Sequence, residues 1–117
     1  MVTNNSNRIN ALSETQIETV LAELSNGIMR ITLNKPDAAN AISQDQRELL
    51  IALFEQADND PAVRVIVLAA NGRHFCSGAD VRAMAGKMAG PRLPGATIRT
   101  MMQGAQRLIA AVLDCGK

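Results

Sequence analysis

The sequence predicts a single α/β domain in which a β-hairpin leads into a strand–helix–strand unit. Three observations carry this prediction: an Asn-Gly turn between two β-prone runs, a capped amphipathic helix that follows them, and a nearly unbroken β-branched and aliphatic run, Val63-Arg-Val-Ile-Val-Leu-Ala69. Apolar residues make up 47% of the 117 residues and charged residues 20%, the composition of a folded domain and not of a disordered chain.

Residues 1–12 are polar and lack any period, and read as a flexible leader to a domain over 13–117. Residues 17–24 read as the first strand because Ser25-Asn26-Gly27 follows, and Asn-Gly tolerates the positive φ that a two-residue hairpin requires. Residues 28–33 alternate as the second strand, which Pro36 stops because proline has no amide to pair. Ser43-Gln-Asp-Gln46 is a capping box: the hydroxyl accepts from the third helical N–H and Gln46 reaches back. Behind it Leu49, Leu50, Leu53, Phe54 and Ala57 recur at helical spacing and make one apolar face, and Asn59-Asp60-Pro61 ends the helix.

The apolar run at 63–69 reads as a strand buried on both faces of a parallel sheet. Residues 79–85 suggest a short helix. Residues 86–95, with three glycines and two prolines, suggest a mobile surface loop. A last helix is signalled by Ile98, Met101, Met102, Ala105, Leu108, Ile109, Val112 and Leu113, and its apolar stripe has no following element to cover it.

Composition also narrows function. No apolar run is longer than that of residues 65–70, which is far short of the ~20 residues that cross a bilayer. The first ten residues hold no apolar stretch of the secretory kind, so the expected compartment is the cytoplasm. Cys76 and Cys115 are too few for a disulfide framework, and no Cys/His set has zinc spacing, so no metal is expected. With two Phe and neither Trp nor Tyr, the chain lacks the stacking platforms of single-strand nucleic-acid binders. Charge is divided unevenly. Residues 1–60 carry four basic and nine acidic side chains, a balance of −5, and residues 61–117 carry eight basic and two acidic, a balance of +6. An anionic ligand is therefore sought in the C-terminal half, with a solvated basic face as the alternative.

The loop Asn71-Gly-Arg-His-Phe-Cys-Ser-Gly78 follows a buried-type strand and precedes a helix, the place where ligands collect outside the carboxyl ends of strands in open α/β sheets. The first N–H groups of such a helix have no internal partner and suit an oxyanion or phosphate. Gly78 permits close approach to the backbone, and the small side chains of Ser77 and Ala79 leave the Ala79 amide accessible. Cys76 and His74 lack a third, orienting group, which disfavours a cysteine nucleophile. Asp80 is the one carboxylate beside the loop and reads as a stabiliser of the helix start.

Three segments in order, Thr32-Leu-Asn-Lys-Pro-Asp-Ala-Ala-Asn-Ala-Ile-Ser43, Asp60-Pro-Ala-Val-Arg-Val-Ile-Val-Leu68 and Gly72-Arg-His-Phe-Cys-Ser-Gly-Ala-Asp80, resemble the N-terminal part of the crotonase superfamily, the enoyl-CoA hydratases and isomerases. The resemblance spans roughly residues 17 to 117. It implies a crotonase-like (ClpP/crotonase) spiral of ββα units, incomplete here, that binds an acyl-CoA thioester. Coenzyme A is then part of the substrate and no separate cofactor is needed. It also implies a homo-oligomer, a trimer or hexamer. The Ala79 N–H would be one of two oxyanion-hole donors to the thioester oxygen. Ser77, Asp80, Val81 and Arg82 would line the CoA path, with Ala38 and Ala39 near its adenine and pantetheine, and Arg73, Arg82, Lys87 and Arg92 are candidate phosphate contacts. The family often has Lys or Arg where Ala38 stands. The second donor and the proton-moving glutamates are expected beyond residue 117, so this chain alone is expected to be inactive. The leading expectation is enoyl-CoA hydratase, with isomerase or another superfamily reaction as the alternative. A non-catalytic acyl-CoA or protein-binding module, and nucleic-acid binding by the basic half, are readings from other classes.

Overall fold

A computed structural model describes residues 19–80 and 94–117. The leader, residues 17 and 18 of the expected first strand, residues 81–85 of the expected short helix and residues 86–93 of the expected loop lie outside the described residues.

Strands β1 (Val20–Ser25) and β2 (Ile28–Leu33) form the antiparallel hairpin. Asn26 at φ 53° and Gly27 at φ 81° make its two-residue turn, both in the left-handed region that a type I′ turn requires. After a 3-10 turn at Pro36–Ala38 the chain enters helix α1 (Gln44–Asp58) through the complete Ser43/Gln46 capping box, and Asn59 caps its end. Ala62 donates its N–H to Asp60 Oδ1 at 2.9 Å, so the Asp60-Pro61 turn is closed by its own side chain before β3 (Val65–Ala70) begins. Strand β3 pairs parallel to β2, giving the sheet order β1-β2-β3 and one βαβ crossover.

The alternation of β2 places Met29, Ile31 and Leu33 on one face, where they meet Val20 and Leu24 of β1 and Leu49, Leu50, Leu53, Phe54 and Ala57 of α1. These are the helical positions that the sequence spacing selects. Each fully buried aliphatic side chain here contributes about 1.5–3 kcal/mol.

Two expectations are corrected. Strand β3 is not buried on both faces: Val65, Val67 and Leu68 are 41%, 36% and 37% exposed. Helix α1 covers one face of the sheet; Val65 and Val67 lie on the other, while Leu68, in register with buried Ile31, is on the covered side and borders an apolar cavity beside the chain's last helix, and no described strand pairs with the outer edge of β3. Pro94 and Gly95 do not belong to a loop but open helix α2 (Pro94–Asp114), since a residue without an amide is tolerated in a first helical turn.

Helix α2 packs on α1. Leu108, Ala111 and Cys115 reach the core, and the Gly116 amide donates to Asp58 Oδ1 at 2.8 Å. Met102, Ile109 and Leu113 of α2 are exposed, Ile109 and Leu113 at the edge of an apolar cavity that they share with Leu68 and Phe75. No helix among the described residues is long and apolar enough to cross a membrane.

Candidate functional site

Two loops build the site: residues 34–43 after β2 and residues 71–80 after β3. They are joined chiefly by Asn40, whose side chain is buried and whose φ of 55° is left-handed, a conformation asparagine tolerates better than most residues. Its Nδ2 donates to the carbonyls of Asn71 at 2.8 Å and His74 at 2.7 Å, and its Oδ1 accepts the Lys35 amide at 2.7 Å. Asn71 Nδ2 adds a bond to Asn34 Oδ1 at 2.9 Å.

Further along, the Ser77 amide donates to Ala39 O at 3.0 Å, and Ile42 forms an isolated parallel bridge with Ala79. In that bridge the Ile42 amide donates to Gly78 O at 2.8 Å and Ile42 O accepts from the Asp80 amide at 3.0 Å. Parallel pairing turns the N–H of the bridged residue away from its partner. The Ala79 N–H therefore faces away from Ile42, and among the described residues no acceptor takes it. The neighbouring Gly78 amide is already engaged, donating to Cys76 Sγ at 3.4 Å. Gly78 sits at φ 110°, with open space where a side chain would stand. Both a dihedral need and an unobstructed approach to the Ala79 amide thus require glycine.

Lys35 fixes the end of the second loop. Its Nζ donates to Asp80 Oδ2 at 3.4 Å, to Gln46 Oε1 at 3.2 Å and to Ala41 O at 3.4 Å. Asp80 is thus held by an ammonium. Its expected role at the start of a helix concerns residues 81–85, outside the described residues. A cleft of about 210 Å³ opens at this point, bordered by Gly78, Ala79 and Asp80 on one side, Ser43 and Arg47 of α1's entrance on another, and Met101 and Leu108 of α2.

The structure brings Ala39, Ser77, Ala79 and Asp80 together, with Ala38 exposed on the 3-10 turn. Val81 and Arg82 lie outside the described residues, as do Lys87 and Arg92, while Arg73 is exposed in the second loop. Cys76 is half-buried and acts through its sulfur on the Gly78 amide. Sequence reasoning missed Asn40, Lys35 and Arg47. The first had a signal, an asparagine in a Pro-Asp-Ala-Ala-Asn turn. The others depend on contacts from distant segments.

The basic half is not one free surface. Arg107 of α2 donates to both carboxylate oxygens of Glu48 on α1, at 2.9 and 2.8 Å, and Lys117 Nζ donates to Asp60 O at 3.2 Å. The hydrogen bonds from Arg107 hold the Glu48 carboxyl below its ordinary range, against a smaller opposing effect of burial, and Glu48 in turn raises the Arg107 guanidinium. No group of three His, Cys, Asp or Glu among the described residues could hold a metal ion.

Solved structures share this fold. An enoyl-CoA hydratase/isomerase from Marinobacter aquaeolei superposes with a TM-score of 0.78 at 29% identity, over 86% of this chain and 39% of that one. Pseudomonas aeruginosa AtuE gives 0.74 at 34% identity, over 84% and 37%. The fold is crotonase-like, and the described residues form a part of it. Among curated proteins, enoyl-CoA hydratase EchA19 of Mycobacterium tuberculosis is 33% identical over 70 residues, 60% of this chain and 26% of that protein. The profile of the enoyl-CoA hydratase/isomerase family matches residues 23–114, and the chain belongs to that family. It spans about a third, 31%, of the length of the first curated relatives it matches.

Proposed function

We propose that this chain carries the thioester-holding part of an acyl-CoA enzyme, with enoyl-CoA hydratase as the reaction and the cytoplasm as its compartment. The observation that carries the reading is the Ala79 amide, clamped by the bonds on either side of it and itself without an acceptor among the described residues, at the mouth of a cleft. When water adds across a 2,3 double bond conjugated to a thioester, negative charge grows on the thioester oxygen. A fixed backbone N–H aimed there stabilises the transition state, and one such donor is typically worth about 10²–10³ in rate. Ser77 and Asp80 flank this amide on the CoA path, with Ala39 behind it, tied to Ser77, and Ala38 beside it on the 3-10 turn. Arg73, Val81 and Arg82 complete the proposed CoA contacts.

Hydration also needs a group that moves protons. The carboxylate on this cleft, Asp80, is engaged by Lys35, which suits positioning and not proton transfer. The chain by itself is therefore expected to bind acyl-CoA without turning it over. The test is paired: calorimetric titration with butyryl-CoA, and incubation with crotonyl-CoA followed by loss of the conjugated thioester's ultraviolet absorbance. Binding without absorbance loss is expected. Absence of binding by any acyl-CoA overturns the reading. Isomerase and other reactions of the family would use the same amide and differ in the proton-moving groups. The exposed stripe of Met102, Ile109 and Leu113 on α2 favours oligomer formation as part of this reading, and also a second one, a non-catalytic module that uses the stripe to bind protein.

A further inference from the structure

We infer that Arg47 makes the cleft beside Ala79 a subsite for an acyl group that ends in a carboxylate, such as a glutaryl thioester. The inference rests on the acyl-CoA reading and names its substrate class.

Arg47 stands in the first turns of α1 and borders the cleft that Ala79 borders. Its side chain is only 15% exposed, and its Nε is buried without any hydrogen-bond partner. The nearest carboxylate oxygen, Glu48 Oε1, is 3.7 Å from its terminal nitrogen, too far for a hydrogen bond, and both Glu48 oxygens are already taken by Arg107. A mostly buried guanidinium without a hydrogen-bonded anion is costly, and an aliphatic residue could fill the same space without that cost.

Helix α2 accommodates this cation specifically. Gly104 is buried opposite Arg47, and a Cβ there would collide with the guanidinium, so the glycine leaves room for the charged group beside α2. Among the described residues the ion pairs around it are uneven. Two guanidiniums, Arg47 and Arg107, share one carboxylate, Glu48, with Arg107 the closer at 2.8 Å against 3.7 Å, and Lys35 lies 3.4 Å from Asp80 across the cleft.

The remaining wall is apolar, from Met101, Leu108 and Ile109 of α2. A short acyl chain whose thioester oxygen rests on the Ala79 N–H can follow that wall and place a terminal carboxylate at Arg47. The same guanidinium could instead take a phosphate of the CoA nucleotide, and the test separates the two sources of anion.

The full chain is titrated calorimetrically with glutaryl-CoA and butyryl-CoA, and with the corresponding pantetheine esters, which lack the nucleotide phosphates. The expected result is a preference of about tenfold or more for glutaryl over butyryl in both ester series, the size of a charge-assisted hydrogen bond. Arg47→Met is expected to abolish the preference, and Arg47→Lys to keep part of it, with circular dichroism confirming the fold. The ester comparison on the unaltered chain needs no variant. Equal affinities for glutaryl and butyryl esters there, or a preference that survives Arg47→Met, would overturn the inference. So would a loss of affinity in Arg47→Met for both CoA esters but neither pantetheine ester, which assigns Arg47 to a CoA phosphate. Absence of binding by every ester overturns the acyl-CoA reading as well, so the two failures are distinguishable.

Discussion

Ile42 and Ala79 are bridged by hydrogen bonds that belong entirely to Ile42: its N–H donates to Gly78 O at 2.8 Å and its carbonyl accepts from the Asp80 N–H at 3.0 Å. Ala79 is thereby held from both flanks while its own amide points away. The loop after β2 is thus the anchor for a donor that belongs to the loop after β3.

Because the bridge does not use the Ala79 amide, Ala79→Pro removes the donor and spares both bridging bonds. The expected outcome is an unchanged circular dichroism spectrum with butyryl-CoA affinity reduced at least about tenfold, as for loss of a hydrogen bond to a developing or partial charge. Calorimetric titration of the variant checks it, and unaltered affinity would remove Ala79 from the site.

Asn40 holds the two loops together from a buried position, so Asn40→Ala orphans the carbonyls of Asn71 and His74 and the amide of Lys35, and places alanine at a φ of 55°. A loss of about 2–4 kcal/mol is expected, read by urea denaturation. Asn40→Asp keeps the acceptor for Lys35 and loses both donors, so it should also be destabilising. A neutral result for either variant contradicts the keystone role.

The two loop glycines should separate by mechanism. Gly78→Ala adds a side chain in open space and costs only the strain of a φ of 110°, about 1–3 kcal/mol. Gly72→Ala combines a φ of 93° with a Cβ placed 2.7 Å from the Pro36 Cβ, so it should be the more destabilising of the pair. Their thermal midpoints give the order directly.

The Glu48–Arg107 pair links α1 to α2, and it titrates with a definite sign. Glu48 is held below its ordinary value in the fold, so its contribution is fully present above the unfolded carboxylate value of ~4.3 and is lost as pH falls through the lower folded value. The pair is largely exposed, so the effect is small. The expected outcome is that the stability difference between the protein and Glu48→Gln is constant near neutrality and shrinks towards zero below about pH 4. Urea midpoints measured across that range would show it, and a difference that grows with acid contradicts the assignment.

Much of this was legible in the sequence because it is encoded locally. Asn26-Gly27 specifies its turn, Ser43 with Gln46 specifies the start of α1, and the spacing of Leu49, Leu50, Leu53 and Phe54 specifies its buried face. The glycine turn at Gly78 was legible for the same reason, its φ of 110° being one that glycine adopts. What was not legible depends on segments far apart in the chain. Lys35 meets Asp80 across 45 residues, Arg47 lies against Gly104, and Arg107 reaches back to Glu48. The Arg107–Glu48 contact also turns a basic side chain of the second half onto an acidic one of the first, which a count of charges along the chain does not reveal. The burial of β3 was misread because an apolar run records what a strand can be packed against, not what covers it among these residues.

The central claim is that the Ala79 N–H receives a thioester oxygen, and the amide itself reports on it. Proton–nitrogen correlation spectra of the isotope-labelled chain, titrated with butyryl-CoA and separately with S-butyl-CoA, compare a thioester with a thioether that has no carbonyl. The account predicts a downfield shift of the Ala79 amide proton with butyryl-CoA and none with S-butyl-CoA, while residues along the CoA path respond to both. An Ala79 amide that stays in place when butyryl-CoA binds, or that moves equally with both ligands, contradicts it.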